Sequence, residues 1–155
     1  MRDETPVNAV KKMRDRINPD HGDGIRTAAQ WWCEDPAAAK ARYGPIASWD
    51  VSEVTDLSDL FFEQAGFNED LSRWDVSNVV NMGGMLADAT SYNGDLSSWD
   101  VSNVVNMNGM FMGATSFDRQ LGGAWATSTA DKTFMFRNSP GTIAGKTKDA
   151  DGTIE

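Results

Sequence analysis

Apolar positions recur along the middle of the chain with a spacing of 25 residues. The segment WDVSNVVNM occurs at residues 74–82 and again, letter for letter, at residues 99–107, and a related segment, WDVSEVTDL, begins at residue 49. A fourth, degenerate copy begins at Trp125, after an interval of 26 residues. Self-similarity at a period of about 20–50 residues is typical of units that stack on one another. The pattern therefore predicts about four stacked copies, in which equivalent side chains meet.

Two hydrophobic periods alternate within each copy. Trp74 and Val76 are separated by one polar residue, which predicts a short, half-buried strand. The apolar residues that follow are spaced as on one face of a helix: Val79, Met82, Met85 and Leu86. A turn rich in Ser, Asn, Gly and Asp closes the copy. We therefore predict an α/β repeat solenoid in which each coil is one short parallel strand plus a short helix or turn.

The flanking regions predict covers for the two ends of the stack, which would otherwise expose apolar surface. Amphipathic spacing predicts helices over residues 6–17, 25–33 and 37–43, with a break at Glu34-Asp35-Pro36. Downstream, Ile143 and Ile154 either pack over the last copy or belong to a loose tail.

We expect three regions along the chain. Residues 1–45 form a helical N-terminal cap, residues 46–136 form the solenoid, and residues 137–155 form a C-terminal cap or tail.

The copies also carry a family resemblance. Leu71-x-x-Trp74-x-Val76 fits the leucine-rich pattern L-x-x-L-x-L, although Val79 stands where that pattern sets Asn. The string W-D-V-S-x-V-x-x-M-x-x-M-F, followed by A-x-x-F-N-x-D-L, resembles the BspA-like leucine-rich-repeat family, the bacterial surface protein 26-residue repeat, and is similar to the lipoprotein-associated repeat. The resemblance spans about residues 46–136. It implies a cell-surface or extracellular protein with an adhesion role, and it attaches no catalytic residue to the repeat.

Acidic charge is concentrated in the copies. Residues 49–121 contain two basic and twelve acidic residues, while the two flanking regions are nearly balanced and the whole chain has a formal net charge of −9. Such a surface repels phosphates and anionic lipid, so nucleic-acid binding is excluded. No apolar run approaches the roughly 20 residues that span a bilayer, so no membrane insertion is predicted. The first residues do not form a signal peptide as written, so the chain either stays inside a compartment or has lost a leader.

Aspartates at equivalent positions of the copies are the main candidate for metal chemistry. One column contains Asp50, Asp75 and Asp100, and another contains Asp70 and Asp95. Stacked carboxylates one coil apart could bind Ca²⁺, but the D-x-S spacing favours turns in which each Asp accepts a backbone hydrogen bond.

Other candidate sites have simpler explanations. NPDHGDGI, residues 18–25, fails the calcium-loop spacing and favours a turn, and its single histidine has no partners for a zinc site or a triad. Cys33, the only cysteine, favours a core position over a nucleophile. The methionines likewise favour core packing. No catalytic motif is present, so we predict no enzyme activity, no cofactor and no metal site.

The residues expected to point outward from the strands predict a small, hydroxylated, acidic binding face. Its members are Ser48, Asp50, Ser52, Arg73, Asp75, Ser77, Ser98, Asp100 and Ser102. Positions that vary between copies, such as Phe62/Ala87/Met112 and Glu69/Gly94/Arg119, are also free to contact a partner. We predict a non-enzymatic interaction module that binds a protein, in particular a basic one, or a carbohydrate through this face. The alternative is a structural subunit that docks into a larger assembly through its helical cap or solenoid ends.

Overall fold

The computed structural model describes residues 24–155, and two helices open this part of the chain. Helix α1 spans Ile25–Glu34 and helix α2 spans Pro36–Tyr43, followed by a short 3₁₀ turn at Ile46–Ser48. The break between the helices arises because the Asp35 carboxylate accepts a hydrogen bond from the Ala38 N–H at 3.1 Å and Pro36 occupies the first turn of α2. Both helices lie where the sequence predicted them; the third predicted helix, over residues 6–17, lies outside the described residues.

Four equivalent stretches of the copies form the regular part of the fold. We call residues 56–63, 81–88, 106–113 and 131–138 the bridged segments. Parallel bridges join Asp56 to Asn81, Asn81 to Asn106, and Asn106 to Asp131. Alternate backbone N–H groups of each segment donate to carbonyl groups of the next, as in Leu57 to Asn81 at 2.8 Å and Phe61 to Met85 at 2.9 Å. The intervening N–H groups close local turns, as in Leu60 to the Leu57 carbonyl three residues back and Ser58 to the Asp56 carboxylate two residues back.

The predicted fold class, an α/β solenoid of leucine-rich-repeat-like coils, is wrong. Within residues 24–155 the named strands are β1 (Gln120–Leu121) and β2 (Thr142–Ile143), which pair in parallel over two residues and form no open sheet. The stretch from Val79 to Leu86, predicted as helical, contains no helix: Asn81 forms parallel bridges and turns follow from Gly83. A helix is impossible there because every bridged segment has two residues with positive φ, including Gly84 at 64° and Asp88 at 59°.

The predicted strand at Trp74 and Val76 is absent as well. The burial alternates as expected, with Trp74 and Val76 buried and Asp75 exposed. The backbone N–H of Trp74, however, donates to Leu71 three residues back, and that of Val79 donates to Val76. Local turns therefore replace the ladder that a strand requires.

Aromatic rings in register fill the core between copies. The indoles of Trp49 and Trp74 stack with centroids 6.3 Å apart, and those of Trp99 and Trp125 stack at 6.4 Å. Each indole N–H donates to a backbone carbonyl of the preceding stretch, as in Trp99 to Leu71 at 2.9 Å. Five methionines predicted as core residues are fully buried: Met82, Met85, Met107, Met110 and Met135.

The helices pack against the first copy. The ring of Trp32 meets Trp49 edge-to-face at 5.7 Å, and Tyr43 meets Trp49 at 5.8 Å. The Arg26 guanidinium donates to the Ser58 carbonyl at 2.7 Å and lies 3.3 Å from the Asp56 carboxylate. These contacts tie α1 to the first bridged segment.

The C-terminal residues cover the last bridged segment. The Phe136 N–H donates to the Gly152 carbonyl at 2.9 Å, and Ile143 and Ile154 are buried. A short helix α3, Ala124–Thr127, accommodates the one-residue insertion before the fourth copy. The three-region division of the chain remains a prediction. No helix within residues 24–155 has both the length and the apolar character needed to cross a membrane.

Candidate functional site

The predicted binding face occupies three columns that step by 25 residues. All nine of its side chains are exposed or half-exposed. We call them together the serine–aspartate face: Ser48, Asp50, Ser52, Arg73, Asp75, Ser77, Ser98, Asp100 and Ser102. The structure therefore leaves every predicted site residue accessible to a partner.

Each aspartate of this face is held by a local turn. Oδ1 of Asp75 accepts hydrogen bonds from the Ser77 N–H at 3.1 Å and from the Ser77 hydroxyl at 2.6 Å. The same turn forms at Asp50–Ser52 and Asp100–Ser102. Such Asx turns fix the carboxylate relative to the backbone, so the charge has a defined position before a partner arrives.

The columns are also linked from one copy to the next. The Asn78 side-chain amide donates to the Ser52 carbonyl at 2.7 Å, and Asn103 repeats the contact with Ser77. These bonds bring the aspartate columns of successive copies into register.

Hydrogen bonding keeps several exposed carboxylates ionised. The Ser72 hydroxyl and N–H hold the pKa of Asp70 below its usual value, and the Ser97 N–H and hydroxyl do so for Asp95. The Ser102 hydroxyl and N–H lower the pKa of Asp100 in the same way. The donors favour the charged form because they bind the carboxylate more strongly than the neutral acid.

A groove of about 390 Å³ adjoins the serine–aspartate face. We call it the Asn–Asp groove; its lining residues are Asn68, Glu69, Asp70, Ser72, Asn93, Gly94 and Asp95. It is continuous with the face because Ser72 precedes Arg73 in the chain and accepts, through its carbonyl, a 3.2 Å hydrogen bond from the Ser98 hydroxyl. The groove thus continues the acidic surface beyond the serine–aspartate face.

Side-chain amides shape the groove from one copy to the next. Oδ1 of Asn68 accepts the Asn93 N–H at 2.9 Å, and Oδ1 of Asn93 accepts the Asp118 N–H at 3.0 Å. The Glu69 carboxylate accepts a hydrogen bond from the Trp32 indole N–H at 3.4 Å. Gly94 leaves room for the buried Tyr92 hydroxyl, since a Cβ at Gly94 would lie 2.3 Å from that oxygen.

Hydrophobic periodicity did not identify three members of this groove, Asn68, Ser72 and Asn93. Asn68 and Asn93 occupy one column and step by 25 residues, which was a usable signal. Glu69 and Gly94 were already recognised as a position that varies between copies. Their convergence with Asp70 and Asp95 depends on the turn at each copy boundary, which hydrophobic periodicity does not define.

Neither a metal-binding group nor a reactive thiol is found among residues 24–155. Residues 24–155 contain no group of three or more His, Cys, Asp or Glu side chains placed to hold a metal ion. Burial, assisted by the neighbouring Glu34, raises the pKa of Cys33 to about 11, so the thiol is protonated at neutral pH. The loop at residues 18–25 lies almost wholly outside the described residues.

Residues 36–145, which comprise 110 of the 155 residues, match the family described as "Mycoplasma protein of unknown function, DUF285". The chain belongs to the DUF285 family. No curated protein and no solved structure matches the chain.

The resemblance to the BspA-like leucine-rich-repeat family is therefore wrong, because the family found for this chain is DUF285. The description of the chain as a surface or adhesion protein rested on that resemblance and is not retained, and neither is the description as a leucine-rich repeat. The DUF285 match includes helix α2, all nine residues of the serine–aspartate face and all seven of the Asn–Asp groove.

Proposed function

We propose that this DUF285 protein is a non-enzymatic binding module that holds a basic segment of another protein on its acidic surface. The surface consists of the serine–aspartate face and the Asn–Asp groove. The observation that carries the proposal is a set of exposed carboxylates, Asp70, Asp75, Asp95 and Asp100, which Asx turns hold in position within a stretch, residues 49–121, that has two basic residues.

The charge distribution supports a positively charged partner. Residues 49–121 have two basic and twelve acidic residues, and the acidic surface faces solvent. Of its two basic residues, Arg119 donates to the Asn93 backbone carbonyl at 2.9 Å. A concentrated field of one sign steers an oppositely charged partner and raises its association rate.

The fixed positions of the carboxylates support the proposal in addition to their charge. A carboxylate on a mobile side chain loses rotamer freedom when it pairs with a lysine or arginine. Here Oδ1 of Asp75 and of Asp100 already accepts a hydrogen bond from the serine two residues later. Less side-chain rotamer freedom is therefore lost when a partner binds. The hydroxyls and amides between the acids offer further hydrogen-bond partners.

Asparagine substitutions test the proposal because they remove charge and keep the turn. Asn81 and Asn106 already form the same Asx turn in this chain. The probe is a labelled peptide that alternates lysine and serine, with a glutamate–serine peptide as its counterpart. We expect Asp75→Asn with Asp100→Asn, and separately Asp70→Asn with Asp95→Asn, each to weaken binding of the lysine peptide about threefold to tenfold.

A matched control separates specific binding from general attraction. Asp151→Asn with Glu155→Gln removes the same charge from exposed positions near the C-terminus. We expect this control to change the Kd less than about twofold, and we expect binding to weaken as salt is raised. Equal weakening by all three double variants would refute the proposal, as would tighter binding of the glutamate peptide.

A further inference from the structure

The bridged segments have a direction that leaves the two ends of the set unequal. In each of the first three segments, alternate N–H groups donate to four carbonyls of the following segment, such as Asn81, Gly83, Met85 and Ala87. The first segment presents four equivalent carbonyls with no earlier segment to supply donors. They belong to Asp56, Ser58, Leu60 and Phe62.

Helix α1 satisfies only half of this edge. The Arg26 guanidinium donates to the Ser58 carbonyl at 2.7 Å and to the Asp56 carbonyl at 3.4 Å. The carbonyls of Leu60 and Phe62 have no hydrogen-bond donor among residues 24–155. We call these two carbonyls the open edge.

At the opposite end, the C-terminal residues occupy the two central donors. The N–H of Phe136 donates to Gly152 at 2.9 Å, and the N–H of Phe134 donates to the Thr153 hydroxyl at 2.8 Å. A second copy of this chain cannot extend the set head to tail while residues 152 and 153 occupy those donors. The open edge therefore requires a donor from elsewhere.

Side chains around the open edge define the chemistry of its occupant. Phe62 is 41% exposed, the highest value for an aromatic residue within residues 24–155, and the next copy has Ala87 in its place. Asp59 and Glu63 are exposed beside it. Neither forms an ion pair within the described residues.

A groove beside the edge gives room for a partner side chain. It has a volume of about 400 Å³ and extends from Asp59 and Phe62 across Gly83 and Gly84 to Met112. The two glycines have no space for a side chain, since a Cβ at Gly83 would lie 2.9 Å from the Asn106 amide nitrogen and one at Gly84 would lie 2.1 Å from the Asp59 carboxylate.

We propose that the open edge is a strand-addition site for an extended, basic segment of another protein. Two backbone N–H groups of that segment, at alternate residues, donate to Leu60 and Phe62. A lysine or arginine lies between Asp59 and Glu63, and an apolar side chain packs on Phe62. Unpaired sheet edges are known templates for this mode of recognition, in which backbone bonds give affinity and side chains give selectivity. The site is separate from the acidic surface proposed above.

N-methylation of a probe peptide tests the backbone bonds directly. The probe alternates lysine and valine with blocked ends, so the lysine N–H groups point to one side of the strand and the valine N–H groups to the other. Methylating the N–H groups that face the edge removes two hydrogen bonds, whereas methylating the other set removes none. We expect one methylated peptide to bind the full chain roughly tenfold more weakly than the other.

Two matched substitutions locate the contact. Phe62→Ala should weaken binding about fivefold or more, whereas Phe134→Ala, at an aromatic residue 38% exposed, should leave it within about twofold. Asp70→Asn with Asp95→Asn should preserve the difference between the methylated peptides, which separates this site from the Asn–Asp groove.

Three results would overturn the proposal. The first is equal binding of both methylated peptides. The second is equal loss from Phe62→Ala and Phe134→Ala. The third is no binding of the unmethylated peptide at millimolar concentration, which is the result expected if a second copy or the chain's own first residues occupy the edge.

Discussion

A side chain at Gly152 would meet the backbone of the last bridged segment. Its φ is 80°, and a Cβ there would lie 2.2 Å from the Arg137 nitrogen and 2.4 Å from the Phe136 carbonyl carbon. Both clashes are with backbone, so no side chain can move aside. The position also supplies the carbonyl that accepts the Phe136 N–H.

We therefore expect Gly152→Ala to lower the free energy of unfolding by about 3 kcal/mol, through left-handed strain and the clash together. Urea denaturation, monitored by tryptophan fluorescence, measures the free energy of unfolding of both proteins. Gly66→Ala is the control, because nothing lies within 4 Å of a Cβ at Gly66. Similar losses at both positions would contradict the assignment.

The Asx turns make the stability of the fold depend on pH. Hydrogen bonds lower the folded-state pKa of Asp70, Asp95 and Asp100 relative to the unfolded value of 3.8. Ionised groups of this kind contribute stability that is complete above the unfolded pKa and is lost as pH falls through the lower folded values.

We expect the melting temperature to be nearly constant from neutral pH to about pH 5 and to fall progressively below about pH 4. The triple variant Asp70→Asn, Asp95→Asn, Asp100→Asn should have a shallower acid decline, because Asn keeps the turn without titrating. Thermal melts across this pH range measure both curves. Identical slopes in the two proteins would show that other groups control the acid response.

At the scale of elements, the tryptophan column combines ring stacking with a buried hydrogen bond. The Trp99 indole N–H donates to the Leu71 carbonyl at 2.9 Å, and its ring stacks on Trp125. Phenylalanine keeps an aromatic ring but removes the indole donor, so the Leu71 carbonyl retains only the Trp74 backbone N–H.

We expect Trp99→Phe to lower the free energy of unfolding by about 2–4 kcal/mol, from the lost hydrogen bond and the space that remains. Trp31→Phe makes the same chemical change at a residue 36% exposed, and it should cost less than about 1 kcal/mol. Chemical denaturation distinguishes the two variants. A larger effect at Trp31 would argue against the role of the column.

Arg26 acts as a substitute for a preceding bridged segment, because its guanidinium supplies donors to Ser58 and Asp56. We expect Arg26→Met to lower the free energy of unfolding by about 1–3 kcal/mol, since the Ser58 carbonyl loses a charged donor. Arg73→Met, at an exposed position, is the control and should change it by less than about 0.5 kcal/mol. Hydrogen exchange should localise the loss to the first bridged segment. Uniform loss throughout the chain would contradict this role.

The sequence predicted the burial of side chains better than the course of the backbone. Equal spacing placed the tryptophans in one column, and the D-x-S spacing correctly indicated Asx turns. The helical interpretation failed because spacings of three and four arise from tight turns as well as from helices. Gly84 and Gly109 were the available warning, since their positive φ ends any helix at that point.

For the candidate site too, the sequence indicated which side chains are exposed but not how the backbone brings them together. Exposure of the serine–aspartate face followed from alternation along each copy. The Asn–Asp groove depends on hydrogen bonds between residues 25 apart, such as Asn68 with Asn93, which a single-copy pattern does not contain.

At the scale of the molecule, the covered end and the open edge together control self-association. Removing residues 148–155 would release the N–H groups of Phe134 and Phe136 from Thr153 and Gly152. Donors at one end would then face acceptors at the other, the head-to-tail arrangement that does not close.

We expect the truncated chain to gain mass with concentration in sedimentation velocity, and the full chain to keep a constant mass. Adding Phe62→Lys to the truncated chain should restore the mass of the full chain, because a charge at the edge disfavours pairing. The truncated protein must retain its near-ultraviolet spectrum for the comparison to hold. An unchanged mass in the folded truncated chain would exclude this mechanism.

The paired indoles also give the protein an optical property. Chromophores stacked at 6.3 Å and 6.4 Å, with rings 18° and 16° from parallel, are close enough for their electronic transitions to couple. Excitation absorbed by one ring can therefore pass to its neighbour, and because the ring planes are nearly parallel, this transfer changes the polarisation of the emission little. Unfolding separates the rings and abolishes this coupling, so the near-ultraviolet circular dichroism of the stacked indoles reports whether adjacent copies remain in contact.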